Sequence, residues 1–458
     1  MAAVAAKKRI GTELTTGPIL KTLLTFAVPI ILSSLVQQLY SMVDLIVIGH
    51  YVGSIGTVGV NTGSELADLL MPIAIGFSSA GQIYTAQLVG ARNTERIRTT
   101  IGTLLSFMFL MSTLVAVASV IFADPILRLL NCPAEAFSQA KSYMIITALA
   151  TPFVFGYNAV CSILRAMGES RRPLQFVIIA ATINIILDLL FVVVFRMEAA
   201  GTAIATAASQ IGSFLAAAIF MWKKREYFGF ELKWSSFKIN KDILWILIRL
   251  GVPQVIRSTL VRFSMMWINA SANAYGMVIS ETNSVGNKLQ KFLELFIQGV
   301  DAASAAMVGQ NLGARKTDRA GKVTLHTLAA TLTCATAVSL LCLMCPEQIF
   351  AIFTKNPEVR QLGAVYLQIM IVHFYSSAIV GAFQAMVTGC GFVTLGFAIG
   401  ILDGVLCKIG LSMFFVHVMG MGYLGLFWGV ACSRILPGIL CGCYYFSGKW
   451  RTRKLLTD

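Results

Sequence analysis

The stretch that decides the fold runs from Ile178 to Val194 and reads Ile-Ile-Ala-Ala-Thr-Ile-Asn-Ile-Ile-Leu-Asp-Leu-Leu-Phe-Val-Val-Val. Nearly every residue is apolar, and the run is long enough to cross a bilayer as a helix. Asn184 and Asp188 interrupt it and, being four residues apart, share one helix face. A carboxylate near mid-membrane costs at least about 2.5–3.5 kcal/mol, so it usually faces protein or a water-filled ion path. The pair indicates such a path, or an amide–acid contact that only holds two helices together.

The whole chain shares this apolar character. Of its 458 residues, 57% are hydrophobic and only 12% are charged, whereas soluble domains average roughly 25% charged residues. The sequence therefore predicts an all-α membrane protein with little soluble mass. Residues Met1 to Gly17 carry Lys7, Lys8 and Arg9 but no apolar core followed by a cleavage site, so no removed signal peptide is expected. Most of the ten cysteines lie in apolar runs and are interpreted as small buried side chains.

Twelve apolar runs are long enough to be spanning helices. They cover residues 20–50, 58–85, 100–122, 141–165, 173–195, 199–222, 243–272, 280–307, 322–345, 361–387, 392–417 and 421–446. The basic residues concentrate in alternate loops, at the N-terminus, in the central linker and in the C-terminal tail, which holds Lys449, Arg451, Arg453 and Lys454. The positive-inside rule therefore places both termini and the linker in the cytoplasm. The net charge of +15 is explained by this rule and does not indicate nucleic-acid binding.

The chain also repeats itself. Gln87-Leu-Val-Gly-Ala-Arg92 answers to Gln310-Asn-Leu-Gly-Ala-Arg315 at an offset of 310 − 87 = 223, and Gly201 answers to Gly425 at 224. Such matches predict two pseudo-symmetric six-helix lobes with parallel topology. The predicted domains are residues 1–222, a cytoplasmic linker at 223–242, and residues 243–458. In the repeated loops, Gly90 and Gly313 are expected to end their helices in the left-handed region.

Four polar residues in the first half are candidates for a cation or proton site: Asp44, Asn184, Asp188 and Thr206. Two carboxylates, an amide oxygen and a hydroxyl suit a proton or a hard monovalent cation such as Na⁺. Two acids that lie close together in a low-dielectric medium do not both ionise easily, so one is expected to take up a proton. Pro29 lies fifteen residues before Asp44 and permits a kink, which makes it a candidate hinge.

The second half does not repeat this site, because Lys408 and Ser412 stand where the first half has Asn184 and Asp188. Its charges instead define a candidate substrate cavity: Arg257, Arg262, Glu281, Lys288, Lys291, Glu294 and Asp301. Internal salt bridging is the alternative. His373 and His417 are isolated in the sequence and are interpreted as packing residues or loop ends. No nucleotide-binding motif appears, so active transport would use an ion gradient, worth about 2.3 kcal/mol per charge per 100 mV.

Together these residues resemble the multidrug and toxic compound extrusion (MATE) family over about residues 15–450. The resemblance rests on Val28-Pro29, Val43-Asp44, the paired Gly-Ala-Arg loops, Leu164-Arg165-Ala166-Met167-Gly168, and Asn184-x-x-x-Asp188 followed by Thr206. Asp44, Asn184, Asp188 and Thr206 match the cation or proton site of the family's DinF-like prokaryotic branch. The dense charge of span eight, with Asp403 and Lys408, departs from the usual pattern and questions the usual hydrophobic-cation cargo.

The resemblance implies an H⁺- or Na⁺-coupled antiporter that exports organic compounds from a bacterial cell by alternating access. The chain is then not an enzyme, needs no cofactor beyond the coupling ion, and lies in the inner membrane. Its expected partners are a small organic substrate and the lipid bilayer. Neither nucleic acid nor an obligate protein partner is expected, and the protein is expected to be a monomer. A lipid-linked oligosaccharide flippase is the nearest alternative, and a membrane-embedded transferase is the alternative from another class.

Overall fold

The computed structural model describes residues 11–228, 230 and 233–457, and all regular structure within them is helical. In that part of the chain, twelve helices are long and apolar enough to cross a membrane, as the sequence predicts. Helices suit this environment because every backbone polar group must be satisfied within the segment. We number them α1 to α12: Ile19–Tyr51, Gly53–Gly90, Thr94–Ile121, Phe137–Ala166, Arg171–Val194, Glu198–Lys223, Lys241–Asn273, Met277–Gly313, Thr317–Met344, Pro357–Gly389, Val393–Val418 and Tyr423–Phe446. Lys7, Lys8 and Arg9 lie outside the described residues.

Three of these helices are irregular. α5 is α-helical over Arg171–Asp188 and π-helical over Leu189–Val194. α11 contains two π-helical segments, Leu402–Cys407 and Phe414–Val418. α12 consists of two α-helices, Tyr423–Cys432 and Ile435–Phe446, which are interrupted at Ser433 and Arg434. Shorter helices are Ala123–Leu129, Arg225–Phe228, Trp234–Phe237, Pro346–Ala351 and Lys449–Arg451.

The contacts divide the chain into two compact units. The first contains residues 11–13 and Leu32–Gly251, and the second contains Leu14–Ile31 with residues 252–457. The division therefore falls inside α1 and inside α7, beside Pro29 and Pro253, and it leaves the described part of the linker in the first unit. The lobes predicted at 1–222 and 243–458 follow the linear repeat and remain a prediction.

Each unit is built around its fourth helix. In the first unit α4 packs against α2, α3 and α6, and in the second α10 packs against α8, α9 and α12. The repeat extends to single contacts. A Cβ at Gly63 would meet the ring of Tyr143, and a Cβ at Gly286 would meet the ring of Tyr366. Both pairs are separated by the offset of 223, so the same close approach of a helix to an aromatic ring is made twice.

The linker docks on the first unit. Ser106 of α3 donates a hydrogen bond to the carbonyl of Phe237 (2.7 Å), and the amide of Asn240 donates to the hydroxyl of Thr103 (3.1 Å). Asn240 also caps α7, because its side chain accepts from the amides of Asp242 and Ile243. The segment is thus ordered against α3.

The prediction of left-handed glycines in the repeated loops is wrong. Gly90 and Gly313 are the last helical residues of α2 and α8, and the positive φ angles belong to Arg92 (56°) and Arg315 (59°). The chain keeps right-handed geometry one residue beyond each glycine, so the reversal that closes the helix falls on the arginine. The Asn93 amide then bonds the Leu88 carbonyl and Lys316 bonds Asn311, so both repeats end the helix in the same way.

Candidate cation and proton site

The acids of α1 and α5 meet inside the first unit. Asp44 lies in the second half of α1, and Asp188 is the last α-helical residue of α5 before the π-helical segment. Their carboxyl groups are within hydrogen-bonding distance of each other, and the Asp188 side chain is fully buried. Carboxylates only accept hydrogen bonds, so this contact is favourable when the pair holds a proton.

Four oxygen atoms at this place are buried without a donor. They are one carboxyl oxygen of Asp44, both carboxyl oxygens of Asp188 and the amide oxygen of Asn184, and no donor among the described residues reaches them. Asn184 lies one turn before Asp188 and is equally buried. Buried acceptors normally find a donor. A cluster of such oxygens is the ligand set that a proton or a hard cation satisfies.

Two tyrosines surround the acid pair. Tyr143 of α4 interacts with the side chain of Thr206 of α6 and with the charges of Asp44 and Asp188. Tyr40, one turn before Asp44, likewise interacts with Asp44 and with the side chain of Gln210. Thr206 therefore joins the predicted set through the Tyr143 hydroxyl.

Beside the pair is a cavity of about 300 Å³ within the first unit. Tyr40, Tyr143, Thr206 and Gln210 line it, together with Asn158 and a larger number of apolar side chains. None of the described residues that line it is charged. The acids thus lie next to tyrosines that line a neutral, partly aromatic chamber.

Tyr40, Tyr143 and Gln210 are residues that the sequence analysis missed as site components. Tyr40 carried a usable signal, because it shares a helix face with Asp44 four residues later. Tyr143 carried another, because it is one of the few aromatic residues preserved at the repeat offset. Gln210 carried none beyond its place in an apolar run.

The predicted cavity charges of the second half are dispersed. Lys288 and Lys291 are exposed, Arg262 is half-buried, and Glu281 accepts a hydrogen bond from Thr354. Arg257 donates to Gln384 (3.0 Å), and Asp301 interacts with the charge of Arg257. The structure therefore uses several of these side chains in internal contacts.

His373 is not a packing residue, contrary to the interpretation from sequence. Its Nε2 lies 2.7 Å from a carboxyl oxygen of Glu294 and 2.9 Å from the amide nitrogen of Gln290. Arg434 lies 3.5 Å from Glu294 and 3.6 Å from Asp403. An isolated histidine in the sequence thus becomes the centre of a buried polar cluster, because its partners come from helices far away along the chain.

No group of three or more His, Cys, Asp or Glu side chains that could hold a metal ion is found in the part of the chain that the structure describes. The acid pair with Asn184 fits a different class of ligand. It offers few oxygens and at most two negative charges, which suits a proton or a monovalent cation better than a structural divalent metal.

The chain matches the sequence model of the MatE family twice, over residues 29–190 and 253–414. The two matches are equally long and begin at Pro29 and Pro253, so each covers one copy of the repeat. Together they span well over half of the chain.

Similar proteins agree. The chain is 26% identical to "Probable multidrug resistance protein YoeA" of Bacillus subtilis (strain 168), with 92% of each protein covered. It is 24% identical to "Probable multidrug resistance protein YpnP" of the same organism, covering 97% of this chain and 99% of that protein. A crystal structure described as MATE in complex with MaD3S has a TM-score of 0.91 at 19% identity, covering 98% of this chain and all of the other. The protein belongs to the MatE family and is a multi-pass membrane transporter rather than an enzyme.

Proposed function

We propose that this transporter is a cation-coupled antiporter that exports organic compounds, including drugs, across the bacterial inner membrane. The observation that carries the proposal is the pair Asp44–Asp188 with its donor-less oxygens, packed beside a chamber that can hold an organic molecule. The coupling ion is H⁺ or Na⁺. The relatives named as multidrug resistance proteins support the substrate class.

In this proposal, ion binding at the pair changes the charge behind Tyr40 and Tyr143 and so favours one state of the chamber. Substrate and ion then compete across the same wall, and each is released as the other binds. The site opens to the two membrane faces in turn, with Pro29 in α1 as a hinge. The neutral, aromatic lining suits flat organic molecules, and the acids behind it favour cationic ones. The exposed Lys288 and Lys291 remain candidates for contact with charged substrates.

The proposed orientation places both termini and the linker in the cytoplasm, and the proposed working unit is one chain. A flippase for lipid-linked oligosaccharides is disfavoured. Such a cargo carries phosphate and needs a strongly cationic cavity, whereas the lining of the first unit's cavity is uncharged in the described residues.

The test is efflux from proteoliposomes under an H⁺ gradient alone and a Na⁺ gradient alone, with fluorescent organic cations and zwitterions as substrates. Asp44→Asn and Asp188→Asn are each expected to abolish gradient-driven efflux at normal protein yield, because the amide cannot bind and release the ion. Asp318→Asn is the matched control, since this exposed acid lies in the first turn of α9, where it pairs with Arg451 (3.0 Å). Efflux by both variants at the wild-type rate would rule out the site.

A further inference from the structure

Five side chains of the second unit form a buried hydrogen-bonded cluster around His373. Gln290 and Glu294 come from α8, His373 and Ser377 from α10, and Arg434 from the interruption of α12. Glu294 accepts a hydrogen bond from the amide of Gln290 (3.1 Å), and the guanidinium of Arg434 donates to the hydroxyl of Ser377 (2.9 Å). We call these five residues the His373 cluster.

The internal repeat places this cluster at a defined position. We subtract the repeat offset from the residue numbers of the cluster, using 223, or 224 in the last helix of each half. The five resulting positions of the first half all line the first unit's cavity: Ala67, Met71, Ala150, Val154 and Gln210. The second unit therefore holds polar and charged side chains where the first unit has a chamber. Fixed polar networks inside a membrane protein are costly and mark proton or ion paths more often than packing.

The geometry of the imidazole indicates how many protons the cluster holds. His373 Nδ1 lies 3.2 Å from the carbonyl oxygen of Val430, which only accepts, so Nδ1 carries a hydrogen. Nε2 lies 2.7 Å from a carboxyl oxygen of Glu294, and this short contact also needs a hydrogen between the two atoms. Both contacts are favourable together when His373 and Glu294 hold two hydrogens between them. A neutral imidazole beside a carboxylate holds only one.

The state without that proton also has a partner. The side-chain amide of Gln290 lies 2.9 Å from Nε2 and can donate to it when the nitrogen is bare. The loaded pair uses Glu294 and the unloaded ring uses Gln290, so neither state leaves His373 without a hydrogen bond. A site with partners for both states can take up and release a proton without unfolding its surroundings.

Charged groups face His373 from three other helices. Glu294 belongs to α8, Arg434 to α12, and Asp403 of α11 interacts with both Arg434 and His373. Further out, Asp301 and Arg257 interact with each other, and Lys408 lies near Asp403. By formal charge, these three acids balance the three bases Arg434, Arg257 and Lys408. A proton added to the His373–Glu294 pair therefore leaves one net positive charge and weakens the attraction between Glu294 and Arg434.

The backbone is irregular at the same place. Asp403 lies in the π-helical segment Leu402–Cys407, and Arg434 follows the last residues of the first α-helix in α12. The positions that answer to them in the first half, Ile179 and Gln210, lie in regular α-helix. π-helical turns concentrate at functional sites. The irregular backbone at these two positions is therefore absent from the equivalent positions of the first unit, and it coincides with the charge cluster of the second.

We propose that His373 and Glu294 form a second proton-binding site, in the second unit, with Gln290 as the partner of the unloaded ring and Arg434 as the group that responds. This inference goes beyond the proposed coupling site at Asp44 and Asp188. It does not depend on it, because proton occupancy of the pair is measurable without transport.

The direct test is NMR of ¹⁵N-labelled histidine in the full chain, held in lipid nanodiscs. Replacing the other three histidines with glutamine (His50, His326 and His417) leaves His373 as the sole signal. We expect both ring nitrogens to carry hydrogens in acidic buffer and one of them to be bare in basic buffer. Glu294→Gln should weaken the doubly protonated form, because it removes the carboxylate beside Nε2. A His373 ring that stays in one neutral tautomer throughout would overturn the proposal, whatever Asp44→Asn does to transport.

The transport test uses His373→Gln, which keeps a hydrogen-bonding side chain but cannot take up the proton. Its matched control is His326→Gln, because His326 is half-buried and its ring contacts its own helix, at the Lys322 carbonyl (2.8 Å). We expect the rate–pH profile to lose one titrating step in His373→Gln and to keep it in the control. A variant that is slower by the same factor at every pH would show a merely structural role and would count against the second site.

Discussion

At the scale of single residues, the acid pair is the feature that the surrounding protein leaves unsatisfied. Asp44, Asn184 and Asp188 present oxygens to one place without donors, although buried acceptors are normally paired. Tyr143 lines the chamber and interacts with Thr206 and with the charges of both acids. We therefore regard Tyr143 as a positioning residue for the proposed coupling reaction.

Tyr143→Phe tests that role. It removes the hydroxyl that interacts with Thr206 and leaves the ring that packs on Gly63. A lost polar interaction of about 1 kcal/mol corresponds to a change of about fivefold, so we expect ion-driven efflux to fall by roughly that factor. The measurement is initial efflux rate against ion concentration.

Tyr366→Phe is the control for Tyr143→Phe, because the repeat gives Tyr366 the same packing on Gly286. It lies in the second unit. If both variants slow efflux equally, the effect comes from helix packing and Tyr143 has no particular part in coupling.

How far the sequence predicts the site depends on how local its signals are. Asn184 and Asp188 are recognisable because two polar residues four apart in an apolar run share a helix face. His373 is not recognisable, since its partner Glu294 is 79 residues away and only the folded helices bring them together. The charges of α8 share one helix, but packing buries Glu294 and leaves Lys288 and Lys291 exposed. Hydrophobic periodicity therefore cannot predict which side chains pair across helices.

At the scale of helices, the twelve spans and their order follow from apolar length, but their irregularities do not. The π-helical segments of α5 and α11 and the interruption of α12 lie in runs whose composition is ordinary for a spanning helix. The second α-helix of α12 begins beyond Arg434, a residue that is held by Ser377, Glu294 and Asp403. The break therefore coincides with tertiary ion pairing, and local helix propensity does not predict it.

Close packing between α11 and α12 gives a stability prediction. A Cβ at Gly429 would lie 2.0 Å from the hydroxyl and 2.5 Å from backbone atoms of Ser412, so Gly429→Ala forces the helices apart. Overpacking of this kind destabilises by about 1–3 kcal/mol. We expect a lower midpoint of thermal unfolding in detergent.

Gly410→Ala is the comparison for Gly429→Ala. It lies on α11 with no atom within 4 Å of the added carbon. Helix propensity favours alanine by about 1 kcal/mol, so this variant should unfold at the wild-type temperature or slightly above it. Equal thermal shifts for the two variants would contradict the packing argument.

At the scale of the whole molecule, the two halves share topology and packing but differ in chemistry. Both are built around their fourth helix and both place a tyrosine ring against a glycine of their second. The first half has a neutral chamber with an acid pair behind it, whereas the second fills the equivalent place with the His373 cluster. The repeat was visible in the sequence, and this difference was visible as the absence of Asn184 and Asp188 counterparts and as the dense charge of α8.

The orientation in the membrane follows from loop charge and can be tested on the intact molecule. Cys345 is exposed, free, and lies between α9 and α10, which the positive-inside rule places outside the cell. In intact cells a membrane-impermeant maleimide should therefore label Cys345, and Cys345→Ser should remove that labelled peptide in mass spectrometry. A cysteine introduced at the exposed tail residue Lys454 should react only after permeabilisation. The reverse pattern would invert the topology and reassign which face loads the ion, since a coupling ion must enter from the side of its higher electrochemical potential for export to proceed.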